Sequence, residues 1–144
     1  MKPLNKARVI VIVSLVIFAI SLTRSAFICK DFRGTHEFTS IMAIMLGSIA
    51  ILGGAFFEWM VWLANPLYFI SIILFLKGNI KSKKLSVFAA VLSLSFALWT
   101  NILASDSGKE VQIASKNSGY VLWMLSIVIL TIGINYSMKR TPRP

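Results

Sequence analysis

Apolar residues in this chain come in long unbroken runs, without the two-residue alternation of a half-buried strand or the three-to-four spacing of an amphipathic helix. Residues 9–28 (VIVIVSLVIFAISLTRSAFI), 85–104 (LSVFAAVLSLSFALWTNILA) and 120–137 (YVLWMLSIVILTIGINYS) are three such runs. Each approaches the roughly 20 residues that cross about 30 Å of hydrocarbon as a helix rising about 1.5 Å per residue. A fourth run, 40–76 (SIMAIMLGSIAILGGAFFEWMVWLANPLYFISIILFL), holds 37 positions with Glu58 as its one charge. As a continuous helix it would reach about 55 Å, too long for one comfortable crossing and short for two with a loop.

Charge decides between these options. The chain has 15 Lys and Arg against 5 Asp and Glu, a net charge of +10, unevenly placed. Lys2, Lys6 and Arg8 precede the first run, which puts that end in the cytoplasm by the positive-inside rule. Lys77, Lys81, Lys83 and Lys84 set four lysines in eight residues, a segment costly to translocate, so it returns to the cytoplasm and 40–76 crosses once. Lys139, Arg140 and Arg143 hold the carboxyl terminus inside as well. The inner segments then carry ten basic residues and no acidic one. The outer segments balance Arg24, Lys30, Arg33, Lys109 and Lys116 against Asp31, Glu37, Glu58, Asp106 and Glu110. A basic start before an apolar run also opens a secretory signal, but cleavage after Ala26 would put Arg24 where a small residue is required, so an uncleaved anchor is expected.

The expected architecture is an all-α integral membrane unit covering residues 1–144, with four transmembrane helices at about 9–28, 55–76, 85–104 and 120–137. Residues 40–53 form a short half-helix, re-entrant or interfacial, that Gly53 and Gly54 end by letting the chain turn back. This choice puts Trp59, Trp62, Trp99 and Trp123 at the outer ends of their spans, a one-sided aromatic belt. The rival is one helix from near residue 41 to Trp62, with 66–76 along the cytoplasmic surface; it would move Glu58 and two tryptophans to the inner side.

Composition agrees with the membrane: 57% hydrophobic residues and 14% charged ones, with a mean hydropathy of +0.80, against about 25% charge in soluble domains. The basic residues punctuate apolar runs and form no stripe, which argues against nucleic acid as a partner. Cys29 is the one cysteine, so there is neither an internal disulfide nor zinc-ligand spacing. His36 falls in a polar loop (CKDFRGTHEFTS), and 105–119 reads as an exposed outer connection. No phosphate-cradling glycine loop, metal-ligand spacing or pair of buried carboxylates stands out, so neither catalysis nor a cofactor or metal is expected.

Four polar features remain. Glu58 is the carboxylate within the apolar runs, with Arg24 at the outer level as its expected structural partner; the sharper reading is a proton or cation relay. Asn65-Pro66 falls mid-span, where proline frees a carbonyl and kinks the helix, with Asn65 expected to bond a neighbouring helix. Lys77, Lys81, Lys83 and Lys84 suit anionic lipid at roughly 1 kcal/mol each, or serve topology alone. Small residues recur at offsets of seven and four: Ser14, Ser21 and Ser25; Ser86, Ala90, Ser93, Ala97, Thr100 and Ala104; Ser126, Gly133 and Ser137. Such faces allow close helix approach, here expected inside a four-helix bundle.

The segment Trp62-Leu63-Ala64-Asn65-Pro66-Leu67, the preceding Leu46-Gly47-Ser48-Ile49-Ala50-Ile51-Leu52-Gly53 and the distant Gly119-Tyr120-Val121-Leu122-Trp123-Met124-Leu125-Ser126 resemble a group of small bacterial multi-pass membrane proteins with a W-x-A-N-P-L segment and a G-Y-x-L-W-x-x-S last span. The resemblance covers roughly residues 40–137. It implies the bacterial inner membrane and this helix order, and it supplies no catalytic residues.

The functional expectation is an interaction protein of accessory, scaffold or immunity type. It would bind another membrane protein or a toxin through outer segments and small-residue faces, with self-association open and the bilayer as its medium. The alternative is a small channel or transporter subunit using Glu58, Asn65 and the helix break at Pro66.

Overall fold

The computed structural model describes residues 3–31, 34–103 and 109–139. Lys2, Arg33, Ala104, Asp106, Arg140 and Arg143, which enter the charge and packing expectations above, lie outside the described residues.

Helix α1 (Pro3–Leu22) uses the first apolar run and stops earlier than expected. Thr23 and Arg24 turn the chain, and Ser25–Asp31 becomes strand β1 in place of the end of a span. The cause is local: Ala26, Phe27 and Cys29 find a buried face beneath a sheet. Strand β2 (Gly34–Thr39) returns antiparallel to β1, with Cys29 opposite His36. Thr39 then caps helix α2 (Ser40–Ile49) by accepting from the Met42 backbone N–H at 3.3 Å.

A 3-10 turn, Ala50–Gly53, ends α2, and Gly54 at φ +81° reverses the chain in a conformation that side chains with a Cβ disfavour. The half-helix expected over 40–53 therefore forms, and the continuous helix from 41 to Trp62 does not. Helices α3 (Phe56–Trp62) and α4 (Ala64–Leu76) together make one apolar helical stretch, Phe56–Leu76, of 21 residues. After a turn at 77–80, α5 (Lys81–Ser95) and a 3-10 turn (Phe96–Leu98) lead into strands β3 (Asn101–Leu103) and β4 (Glu110–Lys116), and then α6 (Ser118–Lys139).

The fold is mostly helical, yet it is not all-α. Strands from two distant segments join in one antiparallel sheet of order β2-β1-β4-β3, with Cys29 also opposite Ile113. The polar loop around His36 and the connection at 105–119, expected as exposed links, thus belong in large part to one folded layer. Nor are there four full-length apolar helices among the described residues. Phe56–Leu76 and Ser118–Met138 are long and apolar enough to cross a membrane, while Ala7–Leu22 is shorter. The sheet takes the end of the first expected span. The third expected span leaves its helix at Leu98 and enters β3, and α5 begins with Lys81, Lys83 and Lys84 in its first turn.

Helix α1 packs against α6, α6 against α5, and α5 against α4. Because β1 follows α1, β3 follows α5 and β4 precedes α6, these helix ends gather under the sheet. The start of α1, the 77–80 turn and the end of α6 gather at the opposite end, where Ser82 Oγ meets Met138 Sδ at 3.4 Å. Lys77, Lys81, Lys83 and Lys84 therefore share the end at which α1 begins. Trp59, Trp62, Trp99 and Trp123 all belong to the sheet end.

The bundle interior takes up part of the small-residue faces, while Ala97 and Thr100 are exposed and Ser25, Gly133 and Ser137 are half-buried. Ser14, Ser21, Ser86, Ser93 and Ser126 are buried. Ser14 Oγ donates to the Ser126 carbonyl at 2.8 Å, which makes Tyr68 the donor in its 2.6 Å contact with the same oxygen. Three helices, α1, α4 and α6, are thereby tied at one point. The outer surfaces of the helices keep large apolar side chains exposed, among them Ile12, Val16, Ile73, Phe88, Val91 and Ile132.

Candidate functional site

Between the sheet and the helix ends lies a chamber of about 590 Å³, within the size range of small-molecule sites. Phe27, Phe38 and Ile102 line it from the sheet, Ala43, Gly47 and Ala50 from α2 and its 3-10 turn, Trp62 and Asn65 from α3 and α4, and Tyr120 and Trp123 from α6. Local sequence explains each wall. Alternation in β1 and β4 turns Phe27, Cys29 and Val111 inward onto Phe96 and Tyr120. Phe27 stacks on Phe38 with ring centroids 5.1 Å apart. Helix α2 lies directly on the Trp62 indole, for a Cβ at Gly47 would come within 2.8 Å of Trp62 Cδ1.

Asn65 and Pro66 fall where the chamber meets the bundle. A proline at 66 cannot donate to the carbonyl four residues back, that of Trp62. Asn65 Nδ2 donates to that carbonyl at 3.0 Å, while Asn65 Oδ1 accepts from Trp123 Nε1 at 2.8 Å. The expected bond from Asn65 to a neighbouring helix is thus present, and its partner is an α6 tryptophan.

Glu58 also lines the chamber, but Arg24 is not brought to it. Glu58 Oε1 accepts from the Leu103 backbone N–H at 2.6 Å, fastening β3 to α3. Among the described residues the close contact between a carboxylate and a basic side chain is His36 with Asp31, Nε2 to Oδ1 at 3.3 Å, on the sheet. Arg24 is exposed in the turn after α1, and its carbonyl accepts from the Ser40 N–H at 3.0 Å. Lys77, Lys81 and Lys84 are exposed and Lys83 is half-buried, all at the other end of the bundle from the chamber.

A second, shallower hollow of about 430 Å³ adjoins the chamber at Glu58, Ile102 and Leu103, and brings in Asn101 and Glu110. Asn101 Nδ2 donates to Glu110 Oε2 at 3.4 Å. Two polar atoms in the chamber wall residues, Ser40 Oγ and Trp62 Nε1, are buried without a partner among the described residues.

No protein-family model matches this chain, and neither a curated protein nor a solved structure does. The site is therefore read from its own chemistry. Among the described residues no cluster of three or more His, Cys, Asp or Glu could hold a metal ion. Cys29 is nearly inaccessible, 1% exposed, and burial pushes its thiol up to about 11, so at neutral pH it is a protonated packing group. What the chamber offers is apolar surface, a few hydrogen-bonding groups and one carboxylate.

Several of these residues are invisible to a search for chemical motifs. Lys116 Nζ donates to the Ala97 and Trp99 carbonyls at 2.8 and 2.7 Å, closing the end of α5. Tyr120 OH donates to the Ser93 carbonyl at 2.9 Å. The usable signal was the alternation Val111-Gln112-Ile113, a strand period of two inside a segment otherwise rich in turn formers.

Proposed function

We propose that this chain is a multi-pass protein of the bacterial inner membrane, with both termini cytoplasmic, that works without catalysis by binding another membrane protein or a toxin at its outer face. In this reading all four long helices cross or enter the bilayer. Helix α1 supplements its apolar stretch with flanking residues, α5 carries its lysines at the cytoplasmic surface, and α2 dips into the outer leaflet. Mismatched lengths of this kind are accommodated by bilayer thinning and by snorkelling of lysines. The sheet then stands on the outside.

The observation that carries the interaction reading is the edge of that sheet. Strand β2 pairs with β1 on one side only and exposes Gly34, Thr35, His36 and Glu37. An open edge is a ready template for an added strand from a partner. Conduction through Glu58 and Asn65 has less support, because both amide atoms of Asn65 are engaged in holding helices together.

Two measurements test this. With Cys29 buried, cysteines introduced at Lys83 and at Thr35 report without background: an impermeant maleimide added to intact cells should label Thr35→Cys and spare Lys83→Cys. A photo-crosslinking residue at Thr35 should give one discrete protein adduct, and the same residue at lipid-facing Val91 should not. Recovery of the protein alone, together with ion flux after reconstitution, overturns the interaction reading in favour of a channel or carrier subunit.

A further inference from the structure

We infer that the chamber beneath the sheet holds the alkyl chain of an ammonium-headed amphiphile from the outer leaflet, with the ammonium against Glu58 and Glu110. The inference rests on the membrane reading above and is independent of what binds the sheet edge.

Three observations lead to it. The chamber is walled by apolar side chains from the sheet, α2 and α6, and among the described residues no Lys or Arg lines it. At about 590 Å³ it is large enough for a small ligand, and an apolar chain is the occupant such a wall favours. The part of the wall made by α2 and its 3-10 turn is open and apolar, for Leu46, Ile49 and Leu52 line the chamber and are 42%, 54% and 85% exposed. In a bilayer that surface faces hydrocarbon, so an occupant reaches the chamber from the lipid.

The head is specified by charge. Glu58 lies where the chamber meets the second hollow, which Glu110 also lines, and among the described residues neither hollow is lined by a basic side chain. Neither carboxylate has an ion-pair partner among the described residues. Glu58 uses Oε1 for the Leu103 N–H, which leaves Oε2 to meet a cation or an N–H donor. A single-chain or phospholipid amphiphile with an ammonium head matches both parts: chain in the chamber, head in the hollow. An anionic head would meet two carboxylates and, among the described lining residues, no cation. Ser40, 5% exposed and with its hydroxyl unpartnered among the described residues, gives the same chamber a further polar group.

The test uses the full chain purified from membranes in mild detergent and examined by native mass spectrometry. It is loaded in parallel with phosphatidylethanolamine, dodecylamine and phosphatidylglycerol. The expected result is one retained phosphatidylethanolamine, displaced by dodecylamine and not by phosphatidylglycerol. If dodecylamine binds and phosphatidylethanolamine does not, the source is a free alkylamine and the shared chemistry stands. Glu58→Gln, which keeps an acceptor for Leu103, should weaken ammonium retention roughly tenfold, the loss of one charge-assisted bond. Ala43→Phe, which fills the chamber, should abolish it. Equal retention of phosphatidylglycerol, or retention unchanged by Glu58→Gln, overturns the inference, as does a membrane-inserted protein that carries no amphiphile. Recovery of the protein in the soluble fraction would instead defeat the membrane reading.

Discussion

Asn65 stands in for the hydrogen bond that Pro66 cannot make: its Nδ2 donates to the Trp62 carbonyl at 3.0 Å, and its Oδ1 accepts from Trp123 Nε1 at 2.8 Å. A break in the backbone ladder between α3 and α4 thus becomes a joint to α6. The pair explains how proline is tolerated deep in an apolar helical stretch, where a freed carbonyl without a partner is costly.

The joint gives a non-additive pair of substitutions. Asn65→Ala should lower stability by about 1–3 kcal/mol, because it orphans a carbonyl and an indole N–H together. Pro66→Ala returns a backbone donor to the Trp62 carbonyl and should be within about 0.5 kcal/mol of the parent. In the Pro66→Ala background the Asn65→Ala cost should shrink, leaving the loss at Trp123. Thermal or denaturant unfolding of the four proteins in one detergent reads the coupling. Strict additivity would mean that Asn65 does not serve the Trp62 carbonyl.

Tyr68 is fully buried, and its hydroxyl donates to Ser14, which passes its own hydrogen to the Ser126 carbonyl. Tyr68→Phe leaves Ser14 with its acceptor intact and should cost only about 0.6 kcal/mol, a usual value for such bonds between membrane helices. Ser14→Val, which adds bulk where α1, α4 and α6 meet, should cost more, about 1–3 kcal/mol. The order of the two unfolding midpoints is the readout.

How much was legible in the sequence follows from which forces leave a local trace. The turn at Gly53-Gly54, the helix over 120–137 and the bond from Asn65 to another helix were readable because glycine, apolar length and proline act within a few residues. The sheet was not, because β1 and β4 pair across more than eighty residues of chain, and Ala26, Phe27 and Cys29 look like the tail of a helical run until Cys29 is opposite Ile113 and all three share a buried cluster with Val111. The Glu58–Arg24 pair failed for the same reason. Once β3 exists, the Leu103 N–H is a nearer partner for Glu58 than a guanidinium in the turn after α1.

Cys29 supplies a pH prediction. Burial raises its thiol from 9.0 to about 11 in the fold, so the unfolded chain gives up that proton first. The contribution is complete below the ordinary thiol value and is lost as pH rises through the interval from 9.0 to about 11. The stability difference between the parent and Cys29→Ala should therefore narrow across that interval and be flat below pH 8. Iodoacetamide at neutral pH should leave the folded thiol unmodified and react on unfolding.

Glu58 separates a structural carboxylate from a conducting one. Its bond to the Leu103 N–H needs an acceptor oxygen and no charge, and β3 is only three residues long, Asn101–Leu103, so this bond is a large share of what fixes that strand to α3. Glu58→Gln retains the acceptor and should shift stability by less than about 1 kcal/mol, whereas Glu58→Ala leaves the N–H without a partner and should cost about 1–3 kcal/mol. Hydrogen exchange should show where: amide protection at Ile102 and Leu103 falls in the alanine variant and persists in the glutamine one, with the α1–α6 bundle unchanged in both. A relay would order the variants differently, since glutamine and alanine are equally unable to carry a proton. Equal loss of ion flux in both, with β3 protected in the glutamine protein, would make Glu58 a conductor after all.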